Sequence, residues 1–92
     1  MPKLSRPEVE QRMKTLSGWT LDGDAIRKQY TFADFPDAVA FVDRIAPEAQ
    51  KADHHPDILI NYKRVTLTWS THDAGGLTDK DFAGAATADR IA

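Results

Sequence analysis

The 92-residue sequence predicts an α+β domain: a four-stranded antiparallel sheet with three helices packed on one face, in the order α-β-β-α-β-β-α. Three observations carry that prediction. Two strand-like runs flank an Asp-Gly pair at 22–23, the strongest hairpin signal in the chain. A long stretch, 35–55, repeats apolar residues at spacings of three and four, as an amphipathic helix does. "RVTLTWST" at 64–71 alternates Val65, Leu67 and Trp69 with Thr66, Thr68 and Ser70, one apolar face and one hydroxylated face.

Each element has its own signals. "SRPEVEQRMKTL" reads as a first helix: Ser5 caps it, Pro7 suits its first turn, Val9, Met13 and Leu16 form an apolar stripe, and Gly18 ends it. "WTLDGDAIRKQYTF" gives two strands around the turn at 22–23, with 25–32 the longer partner. Asp34 caps the long helix, whose predicted stripe is Phe35, Ala38, Val39, Val42, Ile45, Ala46 and Ala49. Pro47 lies inside it and cannot donate to the carbonyl of Asp43, so a kink or local break is expected there. Pro56 holds His55 extended, which places the helix end near His54. "DILINY", a turn near Lys63 and "RVTLTWST" make the second hairpin. Beyond the glycine turn at 75–76, Thr78 and Asp81 form a capping box for a last helix, "DKDFAGAATADRIA".

Composition bounds what such a domain does. No repeat, linker or low-complexity tract interrupts residues 1–92, so the chain reads as a single domain. A chain this short leaves roughly 35–40% of its surface unburied, so a site should be a shallow cleft or one that a second subunit helps to close. Twelve basic and fourteen acidic residues, spread without a run of five like charges, give no electrostatic pull toward nucleic acid or anionic membrane. The absence of cysteine excludes disulfides, thiolate nucleophiles and thiolate metal sites. With no apolar leader region and no bilayer-length apolar run, a cytoplasmic protein is expected.

The chemistry-bearing residues are three histidines, His54 and His55 in "DHHP" at 53–56 and His72 in "STHD" at 70–73. Adjacent helical residues point about 100° apart, so His54 and His55 flank a small molecule only if the helix ends between them. Pairing 57–62 with 64–70 returns the end of one strand beside the start of the other, which brings the segment from Ser70 to Asp73 next to Asp53, His54 and His55. A cluster of three histidines at one helix end and one strand end is expected. For metal binding, three imidazoles with Asp53 and Asp73 would supply enough donors, but neither HExxH nor an i, i+4 histidine pair appears. Proton transfer fits better, because imidazole titrates near neutrality and both gives and takes a proton. Nucleophilic catalysis has little support, since Ser70 and Thr71 sit near His72 without a nucleophile elbow. Core packing is the expected role of Trp19 and Trp69, with a stacking platform as the alternative.

The spacing from "DHHP" to Tyr62, to His72 and on to Asp81 resembles the pterin-4a-carbinolamine dehydratases, and "GW" at 18–19, "AIRKQYTF" and "DFPDAVAFV" extend the likeness over nearly the whole chain. The resemblance implies the same sheet-and-helix fold, a homodimer or homotetramer, and neither metal nor organic cofactor. It implies dehydration of 4a-hydroxytetrahydropterin, released by aromatic amino-acid hydroxylases, to quinonoid dihydropterin and water. By position, His54 and His72 would be the proton-transfer pair and His55 would hold the ring. Asp53, Ser70, Thr71 and Asp73 would hydrogen-bond the polar edge of the pterin or fix imidazole tautomers, with Gln50 and Asp81 in support. Gln50 stands where the family often has a glutamate; an amide hydrogen-bonds but carries no charge, so a lower rate or a shifted pH optimum is expected. The alternative is a binding or regulatory module, since some relatives serve as dimerisation cofactors for a homeodomain transcription factor and a fold does not by itself secure catalysis.

Overall fold

The computed structural model describes residues 2–92 and shows the predicted element order. Helix α1 spans Arg6–Met13, strands β1 and β2 span Thr20–Asp22 and Ala25–Thr31, helix α2 spans Phe35–Ala52, strands β3 and β4 span Asp57–Asn61 and Arg64–Trp69, and helix α3 spans Asp79–Ile91, preceded by a 3-10 turn at His72–Ala74. All strand pairs are antiparallel, in the order β1-β2-β4-β3. Among the described residues no helix is long and apolar enough to cross a membrane.

The register builds one core face. Ile26 and Tyr30 of β2 lie opposite Trp69 and Val65 of β4, and Leu67 and Val65 lie opposite Ile58 and Ile60 of β3. Val65, Leu67 and Trp69 are buried under Ala38, Phe41, Ile45 and Ala49 of α2 and Phe82, Ala85 and Ala88 of α3. Thr66 and Thr68 face the other way, as the alternation required.

Four details depart from the sequence reading. Helix α1 ends at Met13, a turn early, although Leu16 still packs against the core through the loop that follows. The first hairpin turns on Gly23 and Asp24 rather than on 22–23, because Asp22 pairs with Ala25 and the left-handed φ of +59° belongs to Gly23, the first loop residue. The buried stripe of α2 is Ala38, Phe41, Ile45 and Ala49, so Phe41 belongs to the core while Phe35 and Ala46 lie exposed. Pro47 does not break α2: it sits on the exposed side, as does Asp43, whose carbonyl loses its helical donor where water can replace it.

Candidate active site

The end of α2 decides where the histidines go. Helical geometry stops at Ala52, and Asp53 takes the left-handed conformation (φ 52°, ψ 40°), its N–H donating to the carbonyls of Ala49 and Gln50. Aspartate is one of the few residues besides glycine that enter this region readily. The N–H of His54 then returns to the Ala49 carbonyl at 3.1 Å. The reversal separates the two rings. His54 turns inward, with its side chain 13% exposed, while His55 stays exposed with Nε2 2.9 Å from Oε1 of Gln50. The helix thus ends before the histidines rather than at His54, because the cap falls on Asp53.

The other half of the site is the start of α3. Thr78 and Asp81 form the expected capping box, and Oδ2 of Asp81 accepts the Thr78 N–H at 2.9 Å. Asp81 is 0% exposed, and a carboxylate taken out of water needs several donors. It has them. Oδ2 also accepts the Thr71 hydroxyl at 2.8 Å, and Oδ1 lies 2.6 Å from Nε2 of His54. Since Thr71 gives its one proton to Asp81, Thr78 is the donor in the 2.9 Å contact between the two hydroxyls, and its oxygen in turn accepts from the Lys80 N–H. The network assigns the proton of His54 to Nε2, where the carboxylate accepts it, and leaves Nδ1 for other partners.

Strand β4 delivers Thr71 to this network. Beyond Trp69 the chain makes a paired bridge, with Thr71 N–H to Gly76 carbonyl at 3.1 Å and Gly76 N–H to Thr71 carbonyl at 3.3 Å. Residues between them loop outward through the 3-10 turn, closed by Gly75 at φ +75°. His72 and Asp73 are exposed on that loop, and His72 lines a concavity with Asp24, Ala25, Ser70, Thr71 and Gly76. His54 lines a separate, mainly apolar cavity floored by Trp69.

The structure therefore brings the two predicted segments together, but through Asp81 rather than through a packed triplet of histidines. Among the described residues no three histidine, aspartate or glutamate side chains converge as a set that could hold a metal ion. His54 and Thr71 meet at Asp81, His55 meets Gln50, and Ser70, His72 and Asp73 lie on or beside the loop leaving β4. Two contributors were read only in part from the sequence. Thr78 was legible as a helix cap, and the same hydroxyl also serves the site network. Trp69 was legible as core, and its ring stacks on His54 with centroids 5.5 Å apart and planes 25° from parallel.

The model of the family described as pterin 4 alpha carbinolamine dehydratase matches residues 2–91. A Roseiflexus castenholzii protein named for pterin-4-alpha-carbinolamine dehydratase is 52% identical over 88 residues, covering 96% of this chain and 95% of its own. One of Nostoc sp. with the same name is 49% identical over the same shares of both chains. A crystal structure described as a transcriptional coactivator/pterin dehydratase from Brucella melitensis superposes with a TM-score of 0.93, at 36% identity and 98% coverage of each chain. A pterin dehydratase-like protein described as a RuBisCO assembly factor in the alpha-carboxysome shares the fold, with a TM-score of 0.69 at 23% identity over 82% of this chain and 89% of that one. A family model spanning residues 2–91 and relatives about half identical to the chain lead to one conclusion: the chain belongs to the pterin-4a-carbinolamine dehydratase family.

Proposed function

We propose that the protein is a hydro-lyase that dehydrates 4a-hydroxytetrahydropterin to quinonoid dihydropterin, recycling the pterin cofactor of an aromatic amino-acid hydroxylase. The observation that carries the assignment of roles is the bond between the buried Asp81 carboxylate and Nε2 of His54. In the reaction the C4a–O bond breaks, a proton joins the departing hydroxyl to make water, and N5 loses its proton as the C4a=N5 bond forms. One group must give a proton and another must take one. His54 is held in one tautomer and one orientation by Asp81, so its Nδ1 is the nitrogen that exchanges a proton with substrate. His72, exposed on the loop next to Thr71, supplies the second imidazole. His55, steadied by Gln50, borders the pterin ring from the solvent side, and Asp53, Ser70, Thr71 and Asp73 offer backbone and side-chain groups to its polar edge.

A homo-oligomer is part of the same proposal. Strand β3 is a sheet edge with Ile58 and Leu59 exposed, the latter 62%, and Phe35 and Ala46 leave apolar surface on the outside of α2. An open edge and an uncovered helix face are both relieved by a second copy. Sedimentation of the purified chain tests this, and a monomer at micromolar concentration would defeat it.

The test of the activity follows enzymatically generated 4a-hydroxytetrahydropterin by ultraviolet absorbance. Wild type should accelerate its loss, and His54→Ala and His72→Ala should each lower that acceleration by about 10²-fold or more. A second reading, a binding module without turnover, draws on the assembly-factor description of the 23% identical protein that shares this fold. A folded wild type that does not accelerate dehydration would favour that module.

A further inference from the structure

We propose that Trp69 and Gly84 are a size-matched pair of positioning residues that set the plane of the His54 imidazole. The inference rests on the proton-transfer role given to His54 above. Gly84 lies inside α3, where glycine weakens a helix and alanine would serve better. Space accounts for its presence. A Cβ at Gly84 would stand 2.6–2.7 Å from three atoms of the Trp69 six-membered ring, closer than carbon atoms approach. Glycine therefore lets the backbone of α3 lie directly on one part of the indole.

The imidazole of His54 stacks on the same indole. Trp69 is 3% exposed, and its Nε1–H finds no acceptor among the described residues. The contrast with Trp19 is direct, since that indole N–H is tied to Asp89 at 3.0 Å. No hydrogen bond pins Trp69, so packing alone fixes it, between Gly84 of α3 and His54 after α2. A cavity of about 120 Å³ bordered by Ala49, Ala52, His54, Trp69, Ala83 and Gly84 lies beside the stack and gives the indole somewhere to go if it is pushed. His54 is consequently held by two contacts of different kinds: Asp81 fixes its Nε2, and Trp69 fixes the tilt of its ring.

The experiment compares Gly84→Ala, Trp69→Phe and the double variant with wild type, using substrate-free ¹H–¹⁵N NMR of the imidazole nitrogens beside steady-state kinetics. In Gly84→Ala the added methyl displaces the indole. The His54 Nε2–H signal should shift or exchange faster, and kcat should fall by about 10- to 100-fold with little change in KM, the scale expected for a misplacement of about 1 Å. Helix propensity runs the other way, so a weaker helix does not explain such a loss. Trp69→Phe removes the larger ring and should also move the His54 signal. The double variant, in which the smaller ring leaves room for the methyl, should be no worse than Trp69→Phe alone. If Gly84→Ala does not fold, Trp69→Phe decides the matter through the exchange rate of the His54 Nε2–H, which a change of ring current alone does not alter. Unchanged His54 nitrogen signals in Trp69→Phe, or a folded Gly84→Ala with wild-type kcat and signals, would overturn the inference. The NMR arm needs no turnover, so an inactive wild type would strike the proposed activity while the positioning was still tested.

Discussion

Helix α3 carries a partly or fully buried carboxylate near each end, and the two are put to different uses. Asp81, in the first turn, accepts from His54, Thr71 and Thr78. Asp89, two turns on, accepts from Trp19 at 3.0 Å, Lys28 at 2.8 Å and Tyr30 at 2.5 Å. Lys28 also donates to the Ser17 carbonyl at 2.8 Å and stands 5.0 Å over the Tyr30 ring, so each member of the Asp89 network is engaged within the protein. Asp81 differs in one respect: its imidazole partner has a second nitrogen that the carboxylate does not use. A carboxylate bonded to a lysine and two aromatic donors is an anchor, whereas one bonded to an imidazole orients a ring whose second nitrogen it does not engage.

The titration behaviour follows from these partners. Burial pushes the Asp89 carboxyl up, but the hydrogen bonds from Lys28, Tyr30 and Trp19 together with the Lys28 charge outweigh it and hold the group below its ordinary value. Burial, with the Asp89 hydrogen bond and charge, pushes the Tyr30 phenol well above the usual range. The Asp89 contribution to stability is therefore complete above its unfolded-state value of about 3.9 and is lost as pH falls through the lower folded value. For Tyr30 the contribution is complete below about pH 10 and declines as pH rises through its folded value.

The sharpest way to break the comparison is to remove each carboxylate. Asp81→Ala removes a fully buried carboxylate and leaves the Thr78 N–H, the Thr71 hydroxyl and the His54 Nε2–H, the last two in part-buried contacts, without that acceptor. Urea unfolding should show a loss of about 3 kcal/mol or more, at about 1–3 kcal/mol for each unpaired buried group. The gentler Asp81→Asn keeps the shape and should still lower the dehydration rate by about 10²-fold, because the amide no longer fixes the imidazole tautomer. Asp89→Asn should lower stability by about 1.5–3 kcal/mol, the scale of a hydrogen bond to a charged group, and should leave kcat within about twofold, given the distance along α3 that separates additive sites. Acid unfolding sharpens the contrast further: below about pH 4 the wild type should lose its advantage over Asp89→Asn, and curves that stay parallel down to pH 2 would refute the anchor. The smallest effect belongs to Arg12→Ala. Its 2.6 Å ion pair with Asp79 joins α1 to the start of α3, but the two side chains are 33% and 63% exposed, so the loss should stay under about 1 kcal/mol and shrink in salt.

Much of this architecture was legible because local rules and global packing agree in it. The alternation of Val65, Leu67 and Trp69 placed β4 and its buried face, and the Thr78–Asp81 box placed the start of α3. Where single residues decided a boundary, the reading slipped by a step: Gly23 rather than Asp22 leads the first hairpin loop, and Asp53 rather than His54 closes α2. The local break that Pro47 could have caused did not form, because the cost of a missing donor depends on whether its carbonyl partner faces water, and Asp43 lies on the exposed side.

By itself the sequence determined the element order, the antiparallel hairpins, the identity of the histidine-bearing segments and their convergence, since all of these follow from periodicity, turn chemistry and chain connectivity. Tertiary structure alone decided which groups touch. That Asp81 serves His54 and not only its own helix cap, that Gln50 takes His55, and that Gly84 makes room for the indole behind His54 depend on side chains far apart in sequence meeting at hydrogen-bond and van der Waals range. Forces of such short range leave no periodic trace in the sequence.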